Sequence, residues 1–111
     1  MMTHLRTTLL CALAAAVAPT LAQAADVAAG QAKVKQVCAA CHGIDGNSTV
    51  ADYPKLGGQY PDYLAKALRD YKSGARKNPI MAGFAGTLSE QDIENVAAYF
   101  ASQPPVLAKQ F

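Results

Sequence analysis

The chain has 111 residues, and its ten lysines and arginines against eight aspartates and glutamates give a formal net charge of +2. This near balance excludes the strongly basic surface with which nucleic-acid-binding domains contact phosphates, so no nucleic-acid partner is expected. The length corresponds to a single small domain, in which the core alone rarely provides enough stability and a cofactor or metal often contributes.

The first 24 residues have the pattern of an export signal. A short basic head precedes a continuous apolar stretch over residues 9–18, and Ala22-Gln23-Ala24 offers small residues at a cleavage site. The apolar stretch is shorter than the roughly 20 residues that cross a bilayer. We therefore expect residues 1–24 to be a signal peptide cleaved after about Ala24, and residues 25–111 to form a domain without stable membrane insertion.

The first half of the mature domain is expected to contain one amphipathic helix and one long loop. Residues 28–41 contain no proline, and four side chains recur there at helical spacing: Val34, Val37, Cys38 and Cys41. Residues 43–60 are rich in glycine, proline, asparagine and aspartate, which favour turns. Because loops of this length are uncommon in so small a domain and are usually functional, this one is expected to enclose part of a site.

The second half predicts two further helices separated by an irregular segment. Pro61 suits a first helical turn, and the helix ends near Gly74. Its apolar stripe consists of Tyr63, Leu64, Ala67, Leu68 and Tyr71. Residues 77–87 hold one proline and two glycines and are expected to be irregular. Ser89 with Asp92 is typical of a capping box, and the helix that it starts continues to a pair of prolines. The chain is therefore predicted to be all-α.

One five-residue motif carries the chemistry of the chain. Cys38-Ala39-Ala40-Cys41-His42 places two thiols one helical turn apart, with an imidazole directly behind them. A dithiol redox switch, a zinc site and a covalently attached haem all use such a segment. The redox switch needs a strand before the motif in an α/β setting, which the predicted elements do not provide. Zinc needs four ligands, and the mature domain offers two cysteines and one histidine.

Haem accounts for all of these residues together. Cys-x-x-Cys-His is the attachment sequence of c-type haem, in which each thiol adds across one vinyl group and the histidine binds the iron. Met81 is the one methionine beyond the predicted signal, and its Pro/Gly-rich surroundings can reach the opposite haem face. We predict one haem c, attached through Cys38 and Cys41, with His42 and Met81 as axial iron ligands. The alternative role for Met81 is a gap-filling core residue.

With these residues the chain resembles the class I c-type cytochromes, especially small bacterial periplasmic members similar to the halves of di-haem cytochromes. The resemblance covers about residues 30–102. It is carried by the motif above and by three stretches: YPKLGGQ at 53–59, YLAKALRDYKSGARKNPIMAG at 63–83 and LSEQDIENVAAYF at 88–100. It implies a cytochrome c-like fold, with three to four helices wrapped around one covalently bound haem.

The resemblance also implies roles for residues around the haem. Pro54 would offer its carbonyl oxygen to the outer nitrogen of His42, which fixes the ring and raises its basicity. Leu56 would pack against the haem. Gly30 would let the first helix cross the last one closely. The chain departs from the family's commonest pattern at Val34, where an aromatic residue often stands, so this crossing is expected to be less well filled.

Iron held by an imidazole on one side and a thioether on the other has no open position, which suits electron transfer. We therefore predict a monomeric periplasmic electron carrier, and not an enzyme. It would receive electrons from a respiratory complex or dehydrogenase and pass them to a terminal oxidase or reductase. Two alternatives stay open: a haem subunit of a larger dehydrogenase complex, or a peroxidase or gas-sensing haem protein if Met81 does not bind.

A basic run along the second helix and the following turn is the candidate surface for choosing partners. It consists of Lys66, Arg69, Lys72, Arg76 and Lys77. Along this run the sequence offers Asp70 as the one opposing acid. Such a patch either steers acidic redox partners into contact or is an ordinary solvated helix face.

Overall fold

The computed structural model describes residues 15–19 and 23–105, and in this part of the chain it contains five α-helices and no strand. They are α1 (Val27–Val37), α2 (Ala39–His42), α3 (Pro61–Ser73), α4 (Pro79–Ala85) and α5 (Glu90–Ala101). The all-α prediction is confirmed. The count exceeds the expected three to four because the first helix is divided and because α4 lies in the segment expected to be irregular. Most of the predicted signal peptide lies outside the described residues.

The first helix begins and ends earlier than the sequence pattern indicated. Its N-cap is Asp26, whose carboxylate accepts a hydrogen bond from the amide of Ala29 at 3.0 Å. At Cys38 the backbone (φ −107°, ψ −32°) departs from ideal helical angles. The single turn α2 follows and ends at Gly43, whose φ of 81° favours glycine. The motif cysteines therefore lie around a break between two helices, and not along one straight helix.

Helix α4 shows that the prediction of an irregular segment over residues 77–87 was wrong. Asn78 is the N-cap, and its Oδ1 accepts hydrogen bonds from the amides of Ile80 and Met81, both at 3.0 Å. Pro79 occupies the first helical position, where its missing N–H costs nothing. This Asn-Pro start outweighs the two glycines of the segment, which the pattern had favoured as turn residues.

The core lies where α1 and α3 both pack against α5, and α4 packs against α3. Its fully buried large side chains are Val34, Ile93, Val96 and Phe100. Leu88 and Ile93 flank the start of α5 and both belong to the core, as expected for a hydrophobic staple. None of the helices in the described residues has the length and apolar character that a bilayer crossing requires.

Helices α1 and α5 approach most closely at Gly30. A Cβ built on Gly30 would lie 2.1 Å from the carbonyl oxygen of Asn95 and 3.0 Å from the Cβ of Tyr99. The crossing therefore requires glycine, in agreement with the role that the resemblance implied. Val34, one turn further along α1, is 0% exposed and belongs to the core.

The basic run on α3 is paired more extensively than the sequence indicated. Arg69 forms ion pairs with both Glu90 and Glu94 of α5. Lys72 donates a hydrogen bond to the backbone carbonyl oxygen of Leu88. The expectation that Asp70 alone opposes the run was wrong, because the packing of α5 on α3 brings two glutamates against it. These cations tie the two helices together.

The predicted capping box of α5 is present. Ser89 Oγ accepts a hydrogen bond from the amide of Asp92, and the Asp92 carboxylate accepts one from the amide of Ser89, both at 3.0 Å. The bond from the Ser89 amide is the main reason that the pKa of Asp92 lies below its ordinary value, and Lys33 at 3.5 Å contributes in the same direction.

Replacing Asp92 by asparagine is expected to destabilise the protein at neutral pH and to make its stability less sensitive to acid. Because folding lowers the pKa of Asp92, its contribution is complete above about pH 4 and is lost as the pH falls through the folded value. The urea midpoint of the Asp92→Asn variant should therefore lie below that of the wild type at pH 7, and the two midpoints should converge as the pH falls to 3. Asp62→Asn, in the first turn of α3, is the control, and equal convergence for both variants would contradict the assignment.

Candidate haem-binding site

A cavity of about 290 Å³ in the described part of the chain gathers the residues that the sequence singled out. Its lining includes each residue predicted to hold or surround the haem: Cys38, Cys41, His42, Pro54, Leu56 and Met81. These residues come from α1–α2, from the long loop and from α4, and α3 and α5 complete the walls. Its volume is at the lower end of the range for ligand pockets, roughly 300–1000 Å³.

The cavity has an apolar interior and a polar mouth. Leu64, Val96 and Phe100 line it and are buried, with 5%, 1% and 2% of their surfaces exposed. Lys55 and Arg76 line it as well and are exposed to solvent. A flat apolar macrocycle with carboxylates along one edge matches this division, because its body enters the apolar part and its charges stay at the mouth. The residues present therefore fit a haem.

His42 is buried, with 6% of its surface exposed, and its outer nitrogen is occupied. The distance from His42 Nδ1 to the carbonyl oxygen of Pro54 is 2.8 Å. A carbonyl only accepts, so Nδ1 carries the hydrogen, and Nε2 is left as the nitrogen that can bind a metal. Such a bond fixes the ring orientation and makes the other nitrogen a stronger ligand. The ring of Tyr53 packs edge-on, with centroids 6.4 Å apart.

The two cysteines of the motif are free thiols and are partly buried. Burial raises the pKa of Cys38 to about 11, although the positive charge of Lys33 acts in the opposite direction. In the haem-free chain this thiol is therefore protonated at neutral pH, and thioether formation removes the titrating group. Among the described residues, no three or more His, Cys, Asp or Glu side chains are grouped so as to hold a metal ion.

Met81 reaches the cavity from α4, on a segment far along the chain from His42. Its amide donates to the N-cap side chain of Asn78, so the helix start fixes the backbone that carries the thioether. The packing of α4 against α3 brings the side chain to the cavity wall, where it is partly buried. A partly buried thioether at the wall of this cavity is a soft ligand suited to iron.

Sequence reasoning missed several residues that line the cavity. Tyr63 and Tyr71 belong to the apolar stripe predicted for α3, so periodicity found their face of the helix without showing that it borders a site. Arg76 was assigned to the basic run, and no role was given to Asn78. Phe100 of α5, to which no role was given, also forms part of the cavity wall. The signal that could have found Asn78 is the Asn-Pro pair at a helix start.

Comparison with known families agrees with this site. A family model described as "Cytochrome C oxidase, cbb3-type, subunit III" matches residues 25–100. The chain belongs to the cytochrome c family. This cytochrome carries one covalently bound haem c, and its Cys-x-x-Cys-His motif supplies the thiols for attachment.

Individual relatives give the same result. Cytochrome c4 of Pseudomonas aeruginosa is 54% identical over 80 residues, which cover 72% of this chain and 39% of that protein. The thiosulfate dehydrogenase electron acceptor of Stutzerimonas stutzeri is 39% identical over 89 residues, covering 75% of this chain and 41% of that protein. A crystal structure of reduced recombinant cytochrome c4 from Pseudomonas stutzeri matches with a TM-score of 0.68 and 49% identity, covering 73% of this chain and 47% of that one.

The matched part of this cytochrome thus covers less than half the length of these two cytochrome c4 proteins. A match of that extent agrees with the predicted similarity to one half of a di-haem cytochrome. The solved structure also supports the cytochrome c-like fold, because a TM-score of 0.68 together with 49% sequence identity indicates the same fold.

Proposed function

We propose that this cytochrome is a one-electron carrier that works through a single haem c. The observation that carries the proposal is that Cys38, Cys41, His42 and Met81 all line one cavity. The two cysteines would hold the porphyrin, while His42 Nε2 and the Met81 thioether would take the two axial positions of the iron. The haem, when bound, supplies one-electron chemistry between its ferric and ferrous forms.

The surrounding residues favour electron transfer over catalysis. With His42 and Met81 on the iron, no position would be left for a substrate, and neither residue would have to leave on reduction. Pro54 holds the imidazole in place through its carbonyl oxygen. The buried side chains of Val96 and Phe100 keep water from the inner wall, which disfavours the more highly charged ferric form and raises the reduction potential.

The proposed setting is the periplasm, with residues 1–24 removed as a signal peptide and residues 25–111 acting as a monomeric domain. The partners are redox proteins: a respiratory complex or dehydrogenase as donor, and a terminal oxidase or reductase as acceptor. The name of the S. stutzeri relative, an electron acceptor of thiosulfate dehydrogenase, supports a dehydrogenase as the class of donor. The second candidate is a haem subunit held within a dehydrogenase complex, which the name of another relative, the cytochrome subunit of sulfide dehydrogenase of Chlorobaculum tepidum, supports.

Absorption spectra of the protein, made in a host that attaches c-type haem, test the proposal. The ferric protein is expected to show the near-red band of methionine bound to iron, and the ferrous protein is expected not to bind carbon monoxide. Carbon monoxide binding would instead support the open-iron peroxidase or gas sensor. Co-purification with a flavin or quinoprotein subunit would support the second candidate. A colourless protein with both thiols open to alkylation would contradict haem attachment.

A further inference from the structure

The mouth of the haem cavity carries a cation that the proposed function does not use. Arg76 lies in the turn between α3 and α4 and lines the cavity. Gly74, with a φ of 84°, ends α3, and the amide of Arg76 then donates to the carbonyl oxygen of Asp70 at 3.0 Å. The chain therefore folds back over the last turn of α3, which places Arg76 beside the tyrosine-bearing face of that helix.

The side chain of Arg76 lies against an aromatic ring, although it is exposed. Its guanidinium carbon lies 4.8 Å from the centroid of the Tyr71 ring, within the range of a cation–π interaction. The nearby Tyr63 hydroxyl raises the pKa of Arg76 above its ordinary value. Both tyrosines also line the cavity. Because a guanidinium has five N–H donors, these contacts leave donors for a further acceptor at the mouth.

A haem brings two propionate carboxylates, and the site description above does not say which side chain binds them. Burying them among the apolar walls would be costly, so they belong at the mouth. The acidic and cationic side chains lining the cavity are Asp52, Lys55 and Arg76. Asp52 repels a carboxylate, and Lys55 has a compact charge on a flexible stem. Arg76 is already oriented, and its planar fork matches a carboxylate with two parallel hydrogen bonds.

We propose that Arg76 binds a propionate carboxylate of the haem, at a site that Tyr71 holds in place. The inference rests on the proposed function, since it requires the haem in this cavity. The arginine fixes the outer edge of the haem. The negative charge of a propionate stabilises the more highly charged ferric iron. Because the positive charge of Arg76 reduces this effect, the ferrous form is favoured and the reduction potential rises.

The reduction potentials of the holo-protein and three variants test this inference. Arg76→Gln removes the charge and the fork, while Arg76→Lys keeps the charge. Lys77→Gln is the matched control, because it removes the same charge from the next residue, which does not line the cavity. Arg76→Gln should lower the equilibrium constant for reduction by about three- to tenfold, or roughly 28–59 mV at 59 mV per tenfold for one electron. Arg76→Lys should lower the potential by no more than half as much as Arg76→Gln does. Lys77→Gln should shift the potential much less than Arg76→Gln.

The resonance Raman band of propionate bending gives a second measurement that does not depend on electron-transfer activity. It should shift in Arg76→Gln and stay unchanged in Lys77→Gln. An unchanged band, or equal shifts of potential in these two variants, would overturn the inference.

If Arg76→Gln yields no holo-protein, Tyr71→Leu is decisive. It keeps the charge of Arg76 but removes the ring against which the guanidinium lies, so it should move the Raman band and lower the potential slightly, and a wild-type spectrum and potential would overturn the inference. Carbon monoxide binding by the wild type would refute the carrier function alone, whereas an unchanged Raman band beside an intact near-red band would refute the role of Arg76 alone.

Discussion

Replacing Met81 by alanine is expected to lower the reduction potential and to open the iron to external ligands. In the proposed ligation the thioether would favour ferrous iron and occupy the sixth position, so its loss would favour ferric iron and admit water or carbon monoxide. The near-red band should disappear, and the ferrous protein should bind carbon monoxide. The potential should fall by roughly 100 mV or more, within the span of about 0.8 V that axial ligands determine. Absorption spectra and a potentiometric titration measure both effects.

The control for this variant is Ile80→Ala. Ile80 is the preceding residue of α4, lines the same cavity and is 62% exposed, so its truncation disturbs the same helix without removing a ligand. It should keep the near-red band and exclude carbon monoxide. If Met81→Ala also keeps the band, the thioether is a packing group, as in the alternative considered from the sequence, and the sixth ligand comes from elsewhere.

Gly30→Ala is expected to be the most destabilising small substitution in the domain. The added Cβ would lie 2.1 Å from the carbonyl oxygen of Asn95 and 2.7 Å from its carbonyl carbon. Both atoms are backbone, so no change of rotamer relieves the contact, and α1 and α5 must separate. Overpacking of this kind costs roughly 3 kcal/mol or more. Thermal unfolding should therefore show a Tm lower by roughly 12 °C or more.

Gly83→Ala provides the comparison for that substitution. Gly83 lies inside α4, and a Cβ there would meet no atom within 4 Å. Alanine is the better helix former by about 1 kcal/mol, so this variant should be as stable as the wild type or slightly more stable. A Gly30→Ala protein with the Tm of the wild type would mean that the two helices do not cross as closely as the structure shows.

The fold was predictable from the sequence wherever the deciding interactions are local. Pro61 and the Ser89–Asp92 box marked the starts of α3 and α5, because the groups that they satisfy lie within one turn. The start of α4 is equally local, but composition gave its two glycines more weight than Asn78. The break at Cys38 is different, because no proline or glycine marks it in the sequence.

The candidate site was predictable as a set of residues but not as a surface. The spacing of the motif identified Cys38, Cys41 and His42, and the scarcity of other ligands identified Met81; their roles on the iron remain predictions. Which groups surround the haem depends on how α3 meets its neighbours. Arg76 therefore looked like part of a charged helix face, since only the turn after Gly74 folds it back toward the tyrosines.

Helix α5, which packs closely on α1, is the last helix in the described part of the domain, and this order has a consequence for the biogenesis of the protein. Helix α5 contributes Val96 and Phe100 to the inner wall of the haem cavity, and it lies far beyond Cys38 and Cys41 in the chain. If the chain is exported with its N-terminus first, both thiols leave the translocation channel before α5 does. The haem can then be attached while both sulfurs are still accessible, before the last helix docks.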